Sequence, residues 1–201
     1  MNETALLLAS ANTGKIEEFR SFLSDLSIRI LSLHDIGSKS AYHEKGTSFR
    51  ENAAGKSLFY SREWPGLILG EDSGLMVDAL DGAPGIYSAR FAGPKAADQD
   101  NIRKLLEKMN GLPPAQRKAR FISCLVLSKQ GRIIYEIEKN VRGLILDHPE
   151  GNQGFGYDPV FFYPPLGKTF AQISPSEKNL ISHRGKALRA LKEMLLRMPS
   201  S

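Results

Sequence analysis

The sequence of 201 residues predicts an α/β protein built on a mixed β-sheet. An apolar run, a tight turn and an amphipathic segment open the chain, and this order is typical of a strand–helix unit with parallel strands. Further along, two long runs rich in apolar residues flank Lys129-Gln130-Gly131, which predicts a hairpin. Because a hairpin pairs its strands antiparallel, the combined sheet should be mixed, with helices packed against it.

The first half of the chain alternates predicted strands and helices. Apolar residues at Ile16, Phe19 and Phe22 recur with a helical period, and Ser48 with Glu51 forms a capping-box pattern at the start of a second helix. The next apolar run stops at Glu71-Asp72, where Ser73-Gly74 predicts a bend. The predicted elements are a strand over Thr4–Ser10, a helix over Lys15–Leu26, a strand over Ile28–Leu33, a helix from Ser48 to about Arg62, and strands over Leu67–Gly70 and Leu75–Val77.

The rest of the chain contains the predicted hairpin and four more helical segments. Pro84 can begin a short helix, and Ser174 with Glu177 repeats the capping-box pattern with proline at the first helical position. Gly151–Gly156 is a glycine-rich loop, and long loops of this kind are more often functional than accidental. The remaining predicted elements are a helix from Asp98, as its cap, to Met109, strands over Ala119–Leu127 and Ile133–Leu146, and a final amphipathic helix over Ser182–Arg197.

Composition excludes several classes of protein. A hydrophobic share of 41% and a charged share of 24% are ordinary for one soluble domain, which we expect to span residues 1–201. The longest apolar runs are too short for a membrane span or a signal peptide, and the single cysteine, Cys124, lies in an apolar strand, so we expect a cytoplasmic protein with an inert thiol. The net charge of +5 is not concentrated in basic runs with aromatics, so specific nucleic-acid binding is not expected.

Two motifs near the ends of predicted strands have the chemistry of a polyphosphate site. Ser10-Ala11-Asn12-Thr13-Gly14-Lys15 joins a strand to a helix, where backbone N–H groups and a lysine can hold an anion, although it is not a Walker A loop and an ordinary turn is the alternative. Glu71-Asp72 places adjacent carboxylates at the end of a buried strand, where they need a cation or a shared proton. Such oxygen ligands suit Mg²⁺ or, alternatively, Mn²⁺, unless the pair is only a turn or a helix cap.

Two later motifs have the chemistry of a base or sugar pocket. Gly154-Phe155-Gly156-Tyr157-Asp158 interleaves glycines with aromatics, so a flat ring can approach the backbone and stack, while the carboxylate accepts hydrogen bonds. Lys178 precedes His183-Arg184 by about a turn and a half of helix, although Ser182 can interrupt that helix. A lysine with an arginine suits a phosphate or a purine carbonyl, and a structural loop and a solvated helix face are the alternatives.

Taken in order, these motifs resemble those of the Ham1/RdgB-like inosine triphosphate pyrophosphatases. The resemblance covers Leu6 to about Leu195. It rests on six segments: Ser10–Lys15, Phe49-Arg50-Glu51-Asn52-Ala53, Glu71-Asp72-Ser73-Gly74-Leu75, Gly82-Ala83-Pro84-Gly85-Ile86-Tyr87-Ser88-Ala89-Arg90, Gly154–Pro159 and Ser182-His183-Arg184-Gly185. It implies Mg²⁺-dependent hydrolysis of non-canonical purine nucleoside triphosphates (dITP, ITP, XTP) to monophosphate and pyrophosphate. It also implies two lobes with the active-site cleft between them, and a homodimer.

The resemblance also implies roles for individual residues. Asp72 is expected to accept the proton of the attacking water and, with Glu44 and Glu71, to hold the metal. The expected substrate contacts on the phosphate side are Ser10, Ala11, Asn12, Thr13, Gly14, Lys15 and Lys56. Ser73 is expected close to the substrate, and Phe155, Gly156, Tyr157, Asp158, Lys178, His183 and Arg184 at the base and sugar. Two residues depart from the pattern of many relatives: Ala11 replaces a glycine, and Glu71 replaces an aspartate.

Three other functions fit parts of the sequence. A Maf-type nucleotide pyrophosphatase would share the metal chemistry and prefer other bases, but the aromatic and His-Arg motifs argue against it. A non-catalytic nucleotide-binding module has no need for the acids Glu44, Glu71 and Asp72. A nucleic-acid-binding protein would show strong, salt-dependent affinity for DNA or RNA, and we expect only weak binding.

Overall fold

A computed structural model of the chain describes residues 4–198 and consists of a mixed sheet with flanking helices. The strands are β1 (Thr4–Leu8), β2 (Ile28–Ser32), β3 (Leu67–Val77), β4 (Lys118–Lys129), β5 (Arg132–Ile145), β6 (Phe161–Tyr163) and β7 (Lys168–Thr169). The α-helices are α1 (Thr13–Phe22), α2 (Phe49–Tyr60), α3 (Asp98–Lys108), α4 (Pro175–Ile181) and α5 (His183–Arg197). A short 3₁₀ helix, Gly85–Arg90, follows Pro84 as predicted.

The sheet has the strand order β2-β1-β3-β4-β5-β6-β7. It is parallel at one end, where Leu6 of β1 lies opposite both Ile30 and Leu67, and antiparallel where β6 pairs with β5 and β7. Gln130 and Gly131 both have positive φ, as the tight turn of a hairpin requires. The mixed α/β fold is therefore confirmed. The short strands β6 and β7 were not predicted, because two or three residues are too few to show a periodic pattern.

Strand β3 differs from its prediction in a way that matters for the site. The chain runs as one extended strand through Glu71, Asp72, Ser73 and Gly74, so the predicted bend at Ser73-Gly74 is wrong. The strand lies between β1 and β4, and pairing on both sides outweighs the local turn preference of a Ser-Gly pair. Because successive side chains of a strand point to opposite faces, Glu71 and Asp72 start out on different faces of the sheet.

The starts of α1, α2 and α4 are capped by side chains. Asn12 and Ser48 accept hydrogen bonds from the third residues of α1 and α2, at 3.0 and 3.1 Å, and Ser174 does the same for α4. The N-cap of α3 is Ala97, not Asp98 as predicted. The extended backbone of Ser182 separates α4 from α5. Ser182 therefore interrupts the helix, which is one of the alternatives that the sequence allows.

The chain divides into two compact units with separate cores. Unit 1 comprises residues 4–72, 123–139 and 185–198 of the described chain, and its main core packs β1 and α1 against α5 through residues such as Leu6, Phe19 and Leu188. Unit 2 comprises residues 73–122 and 140–184, and its core includes Leu105 and Phe161. The single domain over residues 1–201 and the cleft between two lobes stay predictions.

The membrane expectation can be compared with the helices of residues 4–198. Among them, none combines the length and the apolar composition that a membrane crossing requires.

Candidate functional site

Unit 1 contains an acid–lysine cluster, formed by Glu44, Glu71, Asp72, Lys15 and Lys56. Glu71 and Asp72 are 1% and 6% exposed, because β3 is an interior strand and α2 covers it. Gly70 permits this cover, since a Cβ at that position would overlap the carbonyl oxygen of Ala53 in α2. Nζ of Lys15, at the start of α1, lies 2.6 Å from Oε2 of Glu71.

Lys56 of α2 connects the other acids of the cluster. Its Nζ lies 2.5 Å from Oε1 of Glu44 and 3.5 Å from Oδ1 of Asp72, and it donates a hydrogen bond of 3.1 Å to the carbonyl oxygen of Glu71. One ammonium group therefore bridges the two carboxylates of Glu44 and Asp72. The structure brings all five predicted residues of this cluster together.

Three carboxylates face two ammonium groups in this cluster, and the pKa values reflect that surplus of negative charge. Burial lowers the pKa of Lys56, but Asp72 and Glu44 outweigh burial, so that pKa lies above its usual value. The pKa of Asp72 is also raised, because burial and the neighbouring acids outweigh the attraction of Lys56 and Lys15. A surplus of negative charge on hard oxygen atoms attracts a divalent cation.

Asn52 of α2 is a residue of this cluster to which the sequence reasoning gave no role. It is fully buried, and its Nδ2 donates a hydrogen bond of 3.1 Å to Oδ2 of Asp72. Its Oδ1 accepts a hydrogen bond of 2.9 Å from the backbone of Gly46, two residues after Glu44. A single amide therefore orients Asp72 and fixes the segment that carries Glu44. The feature that could have indicated a role for Asn52 is a polar amide on an otherwise buried face of a helix.

The acid side chains of the cluster can be tested as ligands for a metal ion. Within residues 4–198, no group of three or more acid, histidine or cysteine side chains forms a ready-made metal cage. Mg²⁺ in nucleotide enzymes is usually held by one or two carboxylates, with water and substrate phosphates completing its shell. The Lys56-bridged pair of Glu44 and Asp72 fits that requirement, whereas the Glu71 carboxylate lies against Lys15.

The predicted phosphate loop, residues 10–15, connects β1 to α1. Ala11, Asn12 and Thr13 are exposed at the N-terminus of a ten-residue helix, where Oγ of Ser10 accepts the Asn12 N–H at 3.2 Å. The Asn12 side chain accepts from the Lys15 N–H and therefore serves first as the helix cap. This arrangement can bind an anion through backbone N–H groups and the helix dipole.

Unit 2 contains an aromatic–cation cluster, formed by Phe155, Asp158, Lys178 and Arg184. Nζ of Lys178 and Cζ of Arg184 lie 4.7 and 5.5 Å from the centre of the Phe155 ring. Oδ2 of Asp158 lies 2.5 Å from Lys178 Nζ and accepts a hydrogen bond of 3.0 Å from the Phe155 N–H. The aromatic ring, the carboxylate and both cations therefore meet at one place.

His183 and Arg184 begin α5 and are almost fully buried. The His183 ring stacks on Phe121, with centroids 4.7 Å apart and planes 11° from parallel. Nη2 of Arg184 donates a hydrogen bond of 2.9 Å to Oγ of Ser73. Arg184 therefore connects the aromatic–cation cluster to the residue that directly follows Asp72 in the chain.

The loop Gly154–Asp158, named here the aromatic loop, presents its two aromatic residues differently. The Phe155 ring lies under the cations, but Tyr157 is only 4% exposed, and its hydroxyl donates a hydrogen bond of 2.9 Å to the carbonyl oxygen of Ser88. Burial raises the pKa of Tyr157, so its hydroxyl stays a donor. The N–H of Gly156 donates a hydrogen bond of 2.6 Å to Asp98.

Comparison with known proteins identifies the family of the chain. The model of the Ham1 family matches residues 6–194. A protein of Geobacillus kaustophilus named dITP/XTP pyrophosphatase is 43% identical over 188 residues, which is 94% of this chain and 92% of the relative. A protein of the same name from Exiguobacterium sp. is 44% identical, over 95% of this chain and 96% of the relative.

Solved structures show the same fold. The HAM1 protein of Coxiella burnetii superposes with a TM-score of 0.88 at 35% identity, covering 97% of this chain and all of the other. The Ham1 protein of Staphylococcus aureus gives 0.86 at 37% identity, covering 96% of this chain and 98% of the other. A family model that spans nearly the whole chain, relatives above 40% identity and a shared fold lead to one conclusion: the chain belongs to the Ham1 family.

Proposed function

We propose that the protein hydrolyses non-canonical purine nucleoside triphosphates, with dITP, ITP and XTP as substrates, to the nucleoside monophosphate and pyrophosphate. The observation that carries the chemistry is the acid–lysine cluster, in which three buried or half-buried acids face two lysines. The substrate class is supported by relatives named dITP/XTP pyrophosphatase at more than 40% identity over almost the whole chain.

The reaction breaks the bond between the α and β phosphates. The oxygen of a water molecule bonds to the phosphorus of the monophosphate product, pyrophosphate leaves with the bridging oxygen, and one proton is lost from the water. Asp72 receives that proton in our assignment. Asn52 holds one oxygen of Asp72 in place by a hydrogen bond of 3.1 Å, which leaves the other oxygen to accept the proton.

Glu44 and Asp72 are the residues we assign to a bound Mg²⁺, with Mn²⁺ as the alternative. When bound, the ion supplies positive charge that neutralises the triphosphate and orients the water. Lys15 and Lys56 would contact the phosphates, Lys56 from its place beside Glu44 and Asp72. Glu71 positions Lys15 in this scheme, and the phosphate loop adds backbone N–H groups.

The aromatic–cation cluster is our candidate for the base. Phe155 offers a ring for stacking, and Lys178 and Arg184 offer N–H donors to the 6-oxo group of hypoxanthine or xanthine. The 6-amino group of adenine is itself a donor, so it would leave these buried donors badly paired. Burial of Lys178 and Arg184 increases that penalty and therefore the selectivity.

A panel of nucleoside triphosphates tests this proposal. With Mg²⁺ present, we expect pyrophosphate and monophosphate from dITP, ITP and XTP, and little from ATP or the pyrimidine nucleotides. Asp72→Asn should lose about a hundredfold or more in kcat, as expected for a general base, while Asp78→Asn, which changes an exposed acid shortly after β3, should remain active.

Three outcomes would contradict the proposal. Orthophosphate as the first product would exclude this reaction. A preference for other bases would favour a Maf-type enzyme. Activity of Asp72→Asn within tenfold of the unchanged protein would remove Asp72 from the assigned role.

Two further expectations from the family resemblance are proposals as well. We propose a homodimer, for which light scattering after size exclusion should give twice the chain mass of 22.2 kDa. We also propose that the protein works in the cytoplasm, where nucleotide pools are found.

A further inference from the structure

The aromatic loop is fixed partly by its own residues. Oδ2 of Asp158 accepts the N–H of Phe155 three residues earlier, which closes the loop on itself. Gly154 has a φ of 75°, and a Cβ there would overlap the Asp158 carboxylate. These contacts set the shape of the loop, but they do not fix where the loop lies within unit 2.

The Lys178–Asp158 ion pair holds one end of the loop, and two further contacts join the loop to α3 and to the 3₁₀ helix. Oδ2 of Asp98, in the first turn of α3, accepts the N–H of Gly156 at 2.6 Å. The carbonyl oxygen of Ser88 accepts the Tyr157 hydroxyl at 2.9 Å, and Ser88 is itself fixed because its Oγ accepts the N–H of Leu75 at 2.9 Å. The two anchors therefore hold consecutive residues of the loop from α3 and from the 3₁₀ helix Gly85–Arg90.

The anchors are not explained by the stability of their own elements. The carboxylate of Asp98 would be an ordinary helix cap if it accepted hydrogen bonds from the N–H groups of α3. It accepts the N–H of Gly156 instead. The N-cap is Ala97, whose N–H is accepted by Asp100 at 3.1 Å, while Asp98 reaches a residue 58 positions later in the chain. Tyr157 is packed into the core with its hydroxyl directed at the backbone, so it is not placed to stack on a base.

We propose that Asp98 and the Ser88–Tyr157 pair are positioning residues that hold Phe155 at the geometry needed to bind a purine base. Tyr157 then acts through its hydroxyl and not through its ring. Placing a stacking surface correctly lowers KM for the nucleotide and leaves the chemistry of the acid–lysine cluster unchanged. This inference rests on the proposed function, in which Phe155 receives the base.

Four variants and two readouts test it. Asp98→Ala removes the acceptor for Gly156, Asp98→Asn keeps an acceptor oxygen, and Tyr157→Phe removes only the hydroxyl. Asp100→Ala is the matched control, because it removes an acidic residue from the same first turn of α3 without touching the loop. Amide hydrogen exchange of peptides covering residues 151–158 reports loop order directly, and steady-state kinetics with dITP and ATP report base binding.

We expect Asp98→Ala and Tyr157→Phe to accelerate exchange in the loop and to raise KM for dITP. The rise should be roughly tenfold for Tyr157→Phe, which loses a buried hydrogen bond, and smaller for Asp98→Ala, whose hydrogen bond is exposed. The value of kcat and the melting temperature should stay near those of the Asp100→Ala control, and Asp98→Asn should recover most of the exchange protection. Unchanged exchange in both Asp98→Ala and Tyr157→Phe would overturn the inference. Absence of pyrophosphatase activity in the unchanged protein would instead overturn the proposed function, and the exchange data would still decide whether the anchors order the loop.

Discussion

Replacing Lys178 with methionine leaves the carboxylate of Asp158 buried without its closest cation. The two side chains are 7% and 3% exposed, and their charged atoms are 2.5 Å apart. Removing one partner of a buried ion pair destabilises a protein by about 3–5 kcal/mol, because the remaining charge keeps its desolvation penalty. At about 2–4 °C per kcal/mol for a chain of this size, the melting temperature should fall by roughly 6–20 °C.

Urea unfolding followed by circular dichroism measures this change through a double-mutant cycle. The cycle compares Lys178→Met, Asp158→Asn and the double variant, in which a neutral amide faces a neutral side chain of similar length. Because the amide oxygen introduced by Asp158→Asn can still accept the Phe155 N–H, the double variant should be more stable than the sum of the single changes predicts, by about 1–3 kcal/mol. Lys192→Met is the matched control, because its partner Asp25 is 63% exposed and such pairs add little.

Two results would refute this reasoning. One is a Lys178→Met variant that is no less stable than Lys192→Met. The other is a double variant whose loss equals the sum of the two single losses, which would show that Lys178 and Asp158 do not interact. Kinetics on the same variants add a functional readout: loss of Lys178 should reduce the preference for ITP over ATP, whereas an equal loss on both substrates would indicate a phosphate contact.

The remaining predictions concern pH and a buried arginine. Burial raises the pKa of Asp72, so ionisation of this carboxyl opposes folding of the metal-free protein. The protonated carboxyl therefore adds to the free energy of unfolding. This stabilisation is fully present below the usual aspartate pKa of about 3.9 and is lost as the pH rises through the raised pKa. Urea unfolding in EDTA from pH 4 to 8 should therefore show this loss in the unchanged protein and not in Asp72→Asn; parallel curves would contradict it. Arg117 is 7% exposed and donates hydrogen bonds of 2.7, 3.0 and 2.8 Å to the carbonyl oxygens of Ile145, Met109 and Leu146, so Arg117→Met should lower the free energy of unfolding by about 3–5 kcal/mol. Lys118→Met is the control, because Lys118 is the exposed neighbour of Arg117. If Lys118→Met lowered the free energy of unfolding as much as Arg117→Met, the hydrogen bonds of Arg117 would not explain the loss.

Local patterns in the sequence predicted the elements that depend on neighbouring residues. The caps at Ser48 and Ser174, the turn at Gln130-Gly131 and the helical period of α1 involve residues within four positions of one another, and all are present. The bend at Ser73-Gly74 was wrong for the complementary reason. Its local preference competes with hydrogen bonds to two neighbouring strands, which sequence periodicity does not reveal.

The residues of the candidate site also differ in how far they could be predicted from local sequence. Glu71-Asp72, Lys15 and the aromatic loop stood out in the sequence, because carboxylate pairs and glycine–aromatic runs are chemically distinctive within a few residues. Glu44 and Lys56 were expected only from the resemblance to a family. Asn52 and Asp98 did not stand out, since their partners lie 20 and 58 positions away in the chain.

The sequence by itself therefore determined the mixed α/β fold, the chemical groups of the site and the family to which the chain belongs. Only the tertiary structure decided which groups meet. It placed Lys56 between Glu44 and Asp72. It also buried the Tyr157 ring, which the sequence suggested for stacking, and directed the hydroxyl to the carbonyl oxygen of Ser88. Local propensity fixes residues near one another along the chain, whereas the pairing of strands and the packing of helices bring together side chains that are far apart in sequence.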